Sequence, residues 1–261
     1  MRPLLRTSGR PVVVTNAGHG LGREIALMLA KRRSIVFGTA GSAQEVEDLR
    51  SASSGRVSLI ACDMQQTQMV NAWAAGVSEA IGKSGLDLLI NTAVHLPSGP
   101  LELLPLEEVR RGFEANVFGG LAVINAFLPA LRMAQGRIVQ ISSSARDEPQ
   151  PFDGPSDASQ AAVEAFSAAY RAELKPFGID VVIASMCDLE ATSTGPTNDL
   201  TRLDDSMTAA QRKLYGKLLR VWMKKLSEGE ALGDSVTAAA RVLDLAVQSQ
   251  VPVKAEIDTR A

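Results

Sequence analysis

The sequence predicts an α/β fold in which one domain holds a doubly wound parallel sheet of about seven strands, with helices on both faces. Three observations lead to this prediction. Short runs rich in β-branched residues alternate with longer helical patterns along the chain. The short runs are almost continuously apolar, as expected for strands that helices cover on both sides. A chain of 261 residues, 46% of them hydrophobic, suits a single domain with a substantial core.

The strands and helices are predicted in strict alternation. Strands are expected at Pro11–Thr15, Ser34–Gly38, Arg56–Ala61, Leu86–Asn91, Arg137–Ser142, Ile179–Ser185 and, less regularly, near Val251–Ile257. Helices are expected at Leu21–Arg32, Ala43–Ser51, Gln66–Gly82, Leu106–Met133, Asp157–Pro176 and Val236–Gln248. Because a helix follows almost every strand, the connections should be the right-handed crossovers of a parallel sheet.

A long insertion separates the sixth strand from the last helix, at about residues 189–230. Ligands of open α/β sheets bind beyond the carboxyl ends of the strands. The insertion begins at that edge, so it is predicted to form a lid over a substrate pocket. No repeat, low-complexity tract or linker divides the chain, and residues 1–261 are therefore interpreted as one domain.

Composition narrows the functions that the chain can have. The net charge is −2, so no overall basic field is available to recruit nucleic acid. Cys62 and Cys187 are far apart and lack metal-binding spacing, which predicts no disulfide framework, no metal site and a reducing, cytoplasmic location. We expect no signal peptide and no transmembrane segment, because no apolar run approaches the ~20 residues that a membrane span needs.

A glycine-rich segment joins the first predicted strand to the first helix. From residue 16 to residue 22 it reads Asn-Ala-Gly-His-Gly-Leu-Gly. Glycines let the backbone turn sharply and approach a pyrophosphate, and the N-terminus of the following helix attracts anions. The segment therefore predicts a nucleotide-binding site. The alternative interpretation is a tight strand-to-helix turn without a ligand.

Hydroxyl groups end the fifth predicted strand, at residues 142–144, and a helix follows. Together with the glycine segment, this layout resembles the short-chain dehydrogenase/reductase family over roughly residues 10–257. The resemblance implies a Rossmann fold, an NAD or NADP cofactor, and a relay in which a strand Ser faces a Tyr-x-x-x-Lys pair on the next helix. Ser143 matches that Ser, but Ser156 and Gln160 stand in place of the Tyr and Lys.

The same resemblance assigns the other site residues. Asn116 matches the helix Asn of the relay. The cofactor would be held by residues of the glycine segment and of several strand ends, namely Asn16, Gly18, His19, Gly20, Leu21, Gly22, Asp63, Asn91, Ala93 and Cys187. Asn16 and Val94 each replace a family glycine, and Met186-Cys187 replaces a Pro-Gly pair. Asn tolerates positive φ better than most residues, so the turn at Asn16 is expected to survive.

The end of the second strand usually selects between NAD and NADP, since an acid there binds the ribose 2′-hydroxyl and an Arg accommodates a 2′-phosphate. The segment Phe37–Ser42 contains neither residue type, which favours NADP. Ser42, His19 and Arg23 are candidate contacts for the phosphate. The alternative for Arg23 is a solvated residue in the first turn of the helix.

Loss of the Tyr and Lys raises the question of what replaces them. A serine hydroxyl titrates far above a phenol, and a neutral amide cannot tune it, so help of about 10²–10⁴-fold is lost. His95 titrates near neutrality and is expected near the pocket mouth. With Asp157 and Ser143 it would supply acid–base chemistry. The alternatives are an exposed loop histidine and an Asp157 that stabilises the first turn of its helix.

Three functions of different class remain open from the sequence. The first is an atypical NAD(P)-dependent oxidoreductase acting on a hydrophobic alcohol or carbonyl compound, because the chain most resembles retinol and hydroxysteroid dehydrogenases. The second is a non-redox enzyme, such as a cyclase, isomerase or dehydratase, on the same scaffold. The third is a non-catalytic subunit that binds a nucleotide or a partner. A decayed site and a site rebuilt for other chemistry explain the substitutions equally well.

Two surfaces bear on partners. The predicted helix after Asp157 is rich in alanine, and the family pairs this helix across a subunit interface, so a homodimer or homotetramer is expected. The segment Arg212–Lys225 carries six basic residues and no acid, with Leu214, Leu218 and Trp222 at i+4 spacing. It is interpreted as a pocket lid with a solvated basic face. The alternative is a helix that lies on an anionic membrane surface.

Overall fold

A computed structural model describes residues 9–92, 98–143, 151–187, 195–228 and 234–258. Its strands are β1 (Pro11–Val14), β2 (Ile35–Ala40), β3 (Val57–Ala61), β4 (Leu88–Asn91), β5 (Arg137–Ser143), β6 (Asp180–Cys187) and β7 (Lys254–Asp258). They form one seven-stranded sheet in the order β3-β2-β1-β4-β5-β6-β7, and every pairing is parallel. The predicted doubly wound α/β fold is therefore confirmed.

The helices fill the connections between the strands. They are α1 (Gly20–Lys31), α2 (Ala43–Ala52), α3 (Thr67–Ile81), α4 (Leu106–Phe113), α5 (Gly120–Ala134), α6 (Gly154–Leu174), α7 (Gly195–Ser206), α8 (Ala209–Glu228) and α9 (Ser235–Val247). Every predicted boundary of a strand or helix lies within three residues of an observed one. The sequence therefore identified the framework, and the differences are concentrated in the long helices.

Two apolar layers sandwich the sheet, which explains why its strands are apolar on both faces. Val12 and Val14 of β1 pack into the layer that contains α1 and α9. Val13, between them, packs into the opposite layer with α3 and α5. Each layer is continued by alternate residues of β4, β5 and β6. Burial on both faces fixes the register of each strand, because a slip of one residue exchanges the two layers.

The predicted helix Leu106–Met133 is interrupted, which the sequence pattern did not indicate. A π-helical turn, Glu114–Gly119, lies between α4 and α5. It coincides with a close approach to the sheet: a Cβ added at Gly120 would lie 2.9 Å from Asn91 Nδ2.

Within the described ranges, Leu106–Ala134 is the one stretch long and apolar enough to cross a membrane, but half of its most apolar window is buried inside the protein. The cytoplasmic location stays a prediction.

Helix α6 begins three residues earlier than predicted, at Gly154 rather than Asp157. Pro155 accounts for the difference, because proline is preorganised for the first turn of a helix. Asp157 then lies in that first turn, where a carboxylate is favourable. The alanines of α6 at positions 158, 161, 165, 168, 169 and 172 are exposed. The pairing of copies across this helix is compatible with that exposure and stays a prediction.

Helices α7 and α8 form a third apolar cluster above the carboxyl edge of the sheet. Leu200, Met207, Leu219 and Trp222 pack there against Phe152, which precedes α6. The Phe152 and Trp222 rings meet edge to face with centroids 6.5 Å apart.

The predicted apolar face of α8 was partly wrong: Trp222 is buried, but Leu214 and Leu218 are 69% and 47% exposed. The helix instead packs through Tyr215, Leu219, Trp222 and Met223.

Candidate cofactor and active site

The strand order reverses between β1 and β4, and this switch point is where open α/β sheets bind their ligands. Hydrogen bonds tie the two strand ends together. Thr15 Oγ1 donates to Asn91 Oδ1 at 3.0 Å and accepts from the Thr92 amide at 2.8 Å. Asn91 Nδ2 donates to Gln140 Oε1 of β5 at 2.9 Å. All three side chains are buried, so the network fixes the floor of the site.

The predicted turn at Asn16 is present, and Asn16 adopts a left-handed conformation with φ of 49°. Its amide N–H donates to Thr39 Oγ1 at 3.0 Å, and its side-chain Nδ2 donates to the Thr92 carbonyl at 3.0 Å. The side chain is therefore directed to β4 and braces the turn. These hydrogen bonds stabilise a left-handed backbone conformation that residues other than glycine adopt only rarely.

The rest of the glycine segment forms a tight turn into α1. Helix α1 begins at Gly20, which has φ of 51°, and His19 precedes it as the exposed N-cap. A methyl group added at Gly22 would overlap with the carbonyl oxygen of Asn16, so only glycine allows this close packing. Leu21 is buried and anchors the first turn. Close packing at Gly22 therefore places the first turn of α1 directly against the Asn16 backbone.

Glu45 is a site residue that sequence reasoning missed. Its carboxylate accepts a hydrogen bond from the Gly41 amide at 2.8 Å, at the end of β2. A Cβ added at Gly18 would overlap with the same carboxylate, so Glu45 lies between the glycine turn and β2. The Ser42 side chain caps α2 by accepting from the Glu45 amide at 3.2 Å. The Ser-x-x-Glu capping pattern could have located this acid in the sequence.

Of the other predicted cofactor residues, the structure describes the side chains of Asp63 and Asn91, and both are hydrogen-bonded within the protein. Asp63 is exposed after β3, and its carboxylate accepts from the Gln65 amide at 3.0 Å and from Gln66 Nε2 at 3.1 Å. In this structure the Asp63 carboxylate therefore stabilises a turn at the carboxyl edge of the sheet. The Asn91 side chain is used in the buried network. The predictions for Ala93 and His95 lie outside the described residues, as do the side chains of Ser143 and Cys187.

At the catalytic end, the first two turns of α6 present Ser156, Asp157 and Gln160. Ser156 and Asp157 are half-buried, and the Ser156 carbonyl accepts from Ser159 Oγ at 2.9 Å. Gln160 is 3% exposed, and among the described residues its Oε1 has no hydrogen-bond partner. Buried amide oxygens almost always have a donor. Gln160 is therefore a buried acceptor in the second turn of α6.

Asn116 lies in the π-helical turn and is 6% exposed. It lines a narrow cleft together with Asn91, Gln140, Val163 and Ser167, between the sheet, α5 and α6. The structure thus brings the predicted Asn116 and Asn91 to one place. Gln140, which sequence reasoning did not select, completes this group of amides.

A second polar chain crosses from β5 to β7. Ser142 Oγ donates to Glu164 Oε1 at 3.0 Å, and Lys254 Nζ lies 3.0 Å from both Glu164 carboxylate oxygens. Glu164 lies one turn after Gln160 on the same side of α6, and this i+4 spacing was a usable signal. The chain joins α6 to the sheet below the predicted relay. No group of three metal-ligating side chains occurs in the parts of the chain that the structure describes.

The fold and the switch-point site define an α/β protein of the Rossmann type, and comparisons with known proteins give its family. Residues 10–200 match the family model described as short chain dehydrogenase. An NADPH-dependent 3-dehydrocapnine reductase from Ornithobacterium rhinotracheale is 30% identical over 236 residues, 88% of this chain and 81% of the relative. The chain belongs to the short-chain dehydrogenase family of oxidoreductases, as the sequence predicted.

Two further proteins are similar over most of the chain. Retinol dehydrogenase 16 from Mus musculus is 29% identical over 222 residues, 83% of this chain and 70% of the relative. The crystal structure of a short-chain dehydrogenase from Streptomyces avermitilis superposes with a TM-score of 0.78 and 26% identity. That superposition covers 96% of this chain and 88% of the other.

Proposed function

We propose that the protein is an oxidoreductase that binds a nicotinamide dinucleotide and acts on a hydrophobic alcohol or carbonyl compound. One observation carries the proposal: the turn between β1 and α1 has a left-handed residue, Asn16, at its start and packs directly on α1 at Gly22, where there is no room for a side chain. The nature of the substrate follows a relative that is named a retinol dehydrogenase.

The described residues fit such a cofactor. The glycine turn and the N-terminus of α1 would hold the pyrophosphate, and the exposed Asp63 would meet the adenine end. Gln160 Oε1 is a buried acceptor with no partner among the described residues, so it would accept a hydrogen bond from a ribose hydroxyl. Gln160 would in this way replace the binding role of the family lysine, though not its charge.

The residues at positions 156 and 160 are better suited to binding the cofactor and substrate than to transferring a proton. When bound, the nicotinamide ring supplies or accepts a hydride, so the substrate oxygen must gain or lose a proton. The Ser156 hydroxyl, at the family tyrosine position, would orient that oxygen by donating a hydrogen bond. It would not act as the acid, because it titrates far above neutrality. Asp157, His95 or water would carry the proton, and we expect turnover to be slow.

Within this proposal the cofactor is NAD rather than NADP. The sequence favoured NADP because no acid ends β2, but the Glu45 carboxylate reaches that place from α2 and lies against Gly18. A carboxylate there would accept the ribose 2′-hydroxyl and repel a 2′-phosphate. Two like charges about 4 Å apart repel by about 1 kcal/mol in water and about 4 kcal/mol near a protein surface. We expect roughly tenfold to a hundredfold tighter binding of NADH than of NADPH.

Calorimetric titration of NADH, NADPH, NAD and NADP into the purified protein tests both the oxidoreductase proposal and the selection of NAD by Glu45. Tighter binding of NADH, reversed or abolished by Glu45→Gln, would support the assignment of Glu45. The matched control is Glu47→Gln, an exposed acid of the same helix that pairs with Arg50 and should change nothing. Stronger binding of NADPH by the unchanged protein would refute NAD selection while leaving the oxidoreductase proposal. No binding of any of the four would refute the oxidoreductase proposal itself.

The substitutions at Ser156 and Gln160 favour one second candidate, a member of the family without redox turnover. Such a protein would bind the cofactor as a structural element, as a non-redox enzyme or as a non-catalytic subunit. NADH binding without oxidation by a panel of ketones and aldehydes would favour this candidate. Consumption of bound NADH with any of them would exclude it.

A further inference from the structure

The outer face of α8 combines exposed leucines with basic residues. The outer face of α8 consists of the apolar residues Leu214, Leu218 and Val221 and the basic residues Lys213, Lys217, Arg220 and Lys224. The apolar three are 69%, 47% and 59% exposed. At 3.6 residues per turn they occupy an arc of about 60°, next to a basic arc of similar width. The two arcs lie side by side along more than two turns of the helix.

The buried side of the same helix is already used. Leu219 and Trp222 are 0% and 6% exposed and belong to the cluster beneath α8. The outer leucines are thus not required for the packing of α8 on the protein. Large aliphatic side chains repeated at i, i+4 and i+7 on an exposed face indicate a binding surface more than isolated exposure would.

Charge distinguishes what this face can bind. Between Ala209 and Lys224 the helix carries five basic residues and no acid, and one of the five, Arg212, pairs with Asp204 of α7. The chain as a whole has a net charge of −2, so this helix is a basic segment in a slightly acidic protein. A ligand surface that complements this face must be anionic beside an apolar layer. The headgroup and acyl regions of an anionic lipid bilayer have that arrangement.

A second copy of the chain fits less well. Two copies that met symmetrically through this face would bring their basic arcs together, and like charges across an interface are unfavourable. A stable interface also buries about 800 Å² on each partner, more than three aliphatic side chains offer. Adsorption to a lipid surface needs only a shallow apolar contact assisted by charge.

The position of α8 relates this face to the substrate pocket. Tyr215 contacts Glu102, in the segment that follows β4, and its hydroxyl donates to that carboxylate. Trp222 packs on Phe152, immediately before α6. Leu101, beside Glu102, is itself 67% exposed. The outer face of α8 therefore lies over the carboxyl edge of the sheet, where the candidate active site is.

We propose that the outer face of α8 attaches the protein reversibly to anionic membrane surfaces. The leucines and Val221 enter the boundary between headgroups and acyl chains, and the lysines and Arg220 bind the anionic headgroups. Attachment brings the carboxyl edge of the sheet towards the bilayer, where hydrophobic substrates dissolve. The attachment does not depend on the redox chemistry proposed above, because it uses none of the site residues.

Co-sedimentation of the full chain with vesicles tests the attachment. Vesicles of phosphatidylcholine alone are compared with vesicles in which phosphatidylserine replaces part of it. We expect retention on the anionic vesicles only, decreasing as salt is raised, because exposed charges are screened. Lys213→Gln with Lys217→Gln should lower the partition coefficient roughly fivefold for each lysine. Leu214→Gln with Leu218→Gln should lower it by about tenfold or more.

Matched controls lie at the opposite edge of the sheet. Lys83→Gln and Met133→Gln change an exposed lysine and a 57% exposed methionine there, and both should bind vesicles like the unchanged protein. Absence of binding to anionic vesicles at low salt would overturn the proposal. So would equal losses in the control and α8 variants. A change of the solution mass in the Leu214/Leu218 variant with vesicle binding retained would identify a subunit interface instead, and would also overturn it.

Discussion

The two ends of the candidate site differ in how the residues at the predicted family positions are held. At the predicted cofactor end, Asn16 stands where the resemblance predicts a glycine, and its side chain is hydrogen-bonded to the Thr92 carbonyl in a left-handed turn. At the predicted catalytic end, Ser156 and Gln160 stand where the resemblance predicts a phenol and an ammonium group. There the Gln160 carbonyl oxygen is buried without a partner in the described part of the chain.

The difference follows from what each end contributes. Nucleotide binding depends mainly on backbone amides, close packing and a helix N-terminus, so a single side chain can change without loss. Proton transfer depends on one group with a suitable pKa, and nothing in the backbone replaces it. A protein on this scaffold can therefore lose its acid while it retains its binding site.

The largest expected change in activity comes from introducing the family's relay groups at Ser156 and Gln160. The variant Ser156→Tyr with Gln160→Lys supplies a phenol and a cation that lowers the phenol pKa. We expect kcat for reduction of a simple ketone to rise by about 10²–10⁴-fold. The measurement is NADH oxidation followed by absorbance.

The matched control for that variant is Ser156→Phe with Gln160→Met, which adds similar bulk without an acid or a charge. An equal rise in the control would mean that bulk alone matters. No rise in the Tyr/Lys variant, with unchanged far-ultraviolet circular dichroism, would show that the site was rebuilt beyond these two positions.

A methyl group at Gly22 should disable the predicted cofactor end of the site. The added Cβ of Gly22→Ala would overlap with the Asn16 carbonyl, so the turn must open. Overpacking of this kind costs about 1–3 kcal/mol of unfolding free energy, and we expect cofactor affinity to fall about tenfold or more. Urea unfolding and calorimetry measure the two effects.

The control is Gly76→Ala in α3, where the new methyl group meets open space. It should leave cofactor binding unchanged and raise the unfolding free energy by about 0.5–1 kcal/mol, since alanine favours the helix. Unaltered cofactor affinity in Gly22→Ala would show that the close approach is not needed, and that the cofactor end is less constrained than its packing indicates.

The smallest expected effects compare one buried polar group from each end. Thr15→Val removes a donor to Asn91 and an acceptor for the Thr92 amide, and should lower the unfolding free energy by about 1–3 kcal/mol. Gln160→Met removes a carbonyl that has no partner among the described residues, and should be neutral or raise it by about 1 kcal/mol while weakening cofactor binding.

Urea unfolding of both variants under one set of conditions makes that comparison. Equal destabilisation by the two changes would mean that Gln160 is as well satisfied as Thr15. The contrast between the two ends would then rest on the acid alone.

Local sequence was sufficient for much of the fold. The alternation of apolar strands and amphipathic helices, and the glycine turn at residues 16–22, depend on neighbours a few positions apart, so composition and spacing reveal them. The prediction that Ser156 and Gln160 stand at the relay positions rests on local spacing in the same way. The π-helical turn at Glu114–Gly119 was not, because it accompanies a contact between α5 and Asn91 that no local pattern encodes.

By itself the sequence determined the order of the elements and the place of the switch point in the sheet. Only the tertiary structure decided three further matters. It put Glu45 against Gly18, it buried Gln160 without a partner among the described residues, and it turned the leucines of α8 outward. Each depends on the packing of segments that are distant in the chain, and burial and electrostatic contact are properties of the assembled molecule.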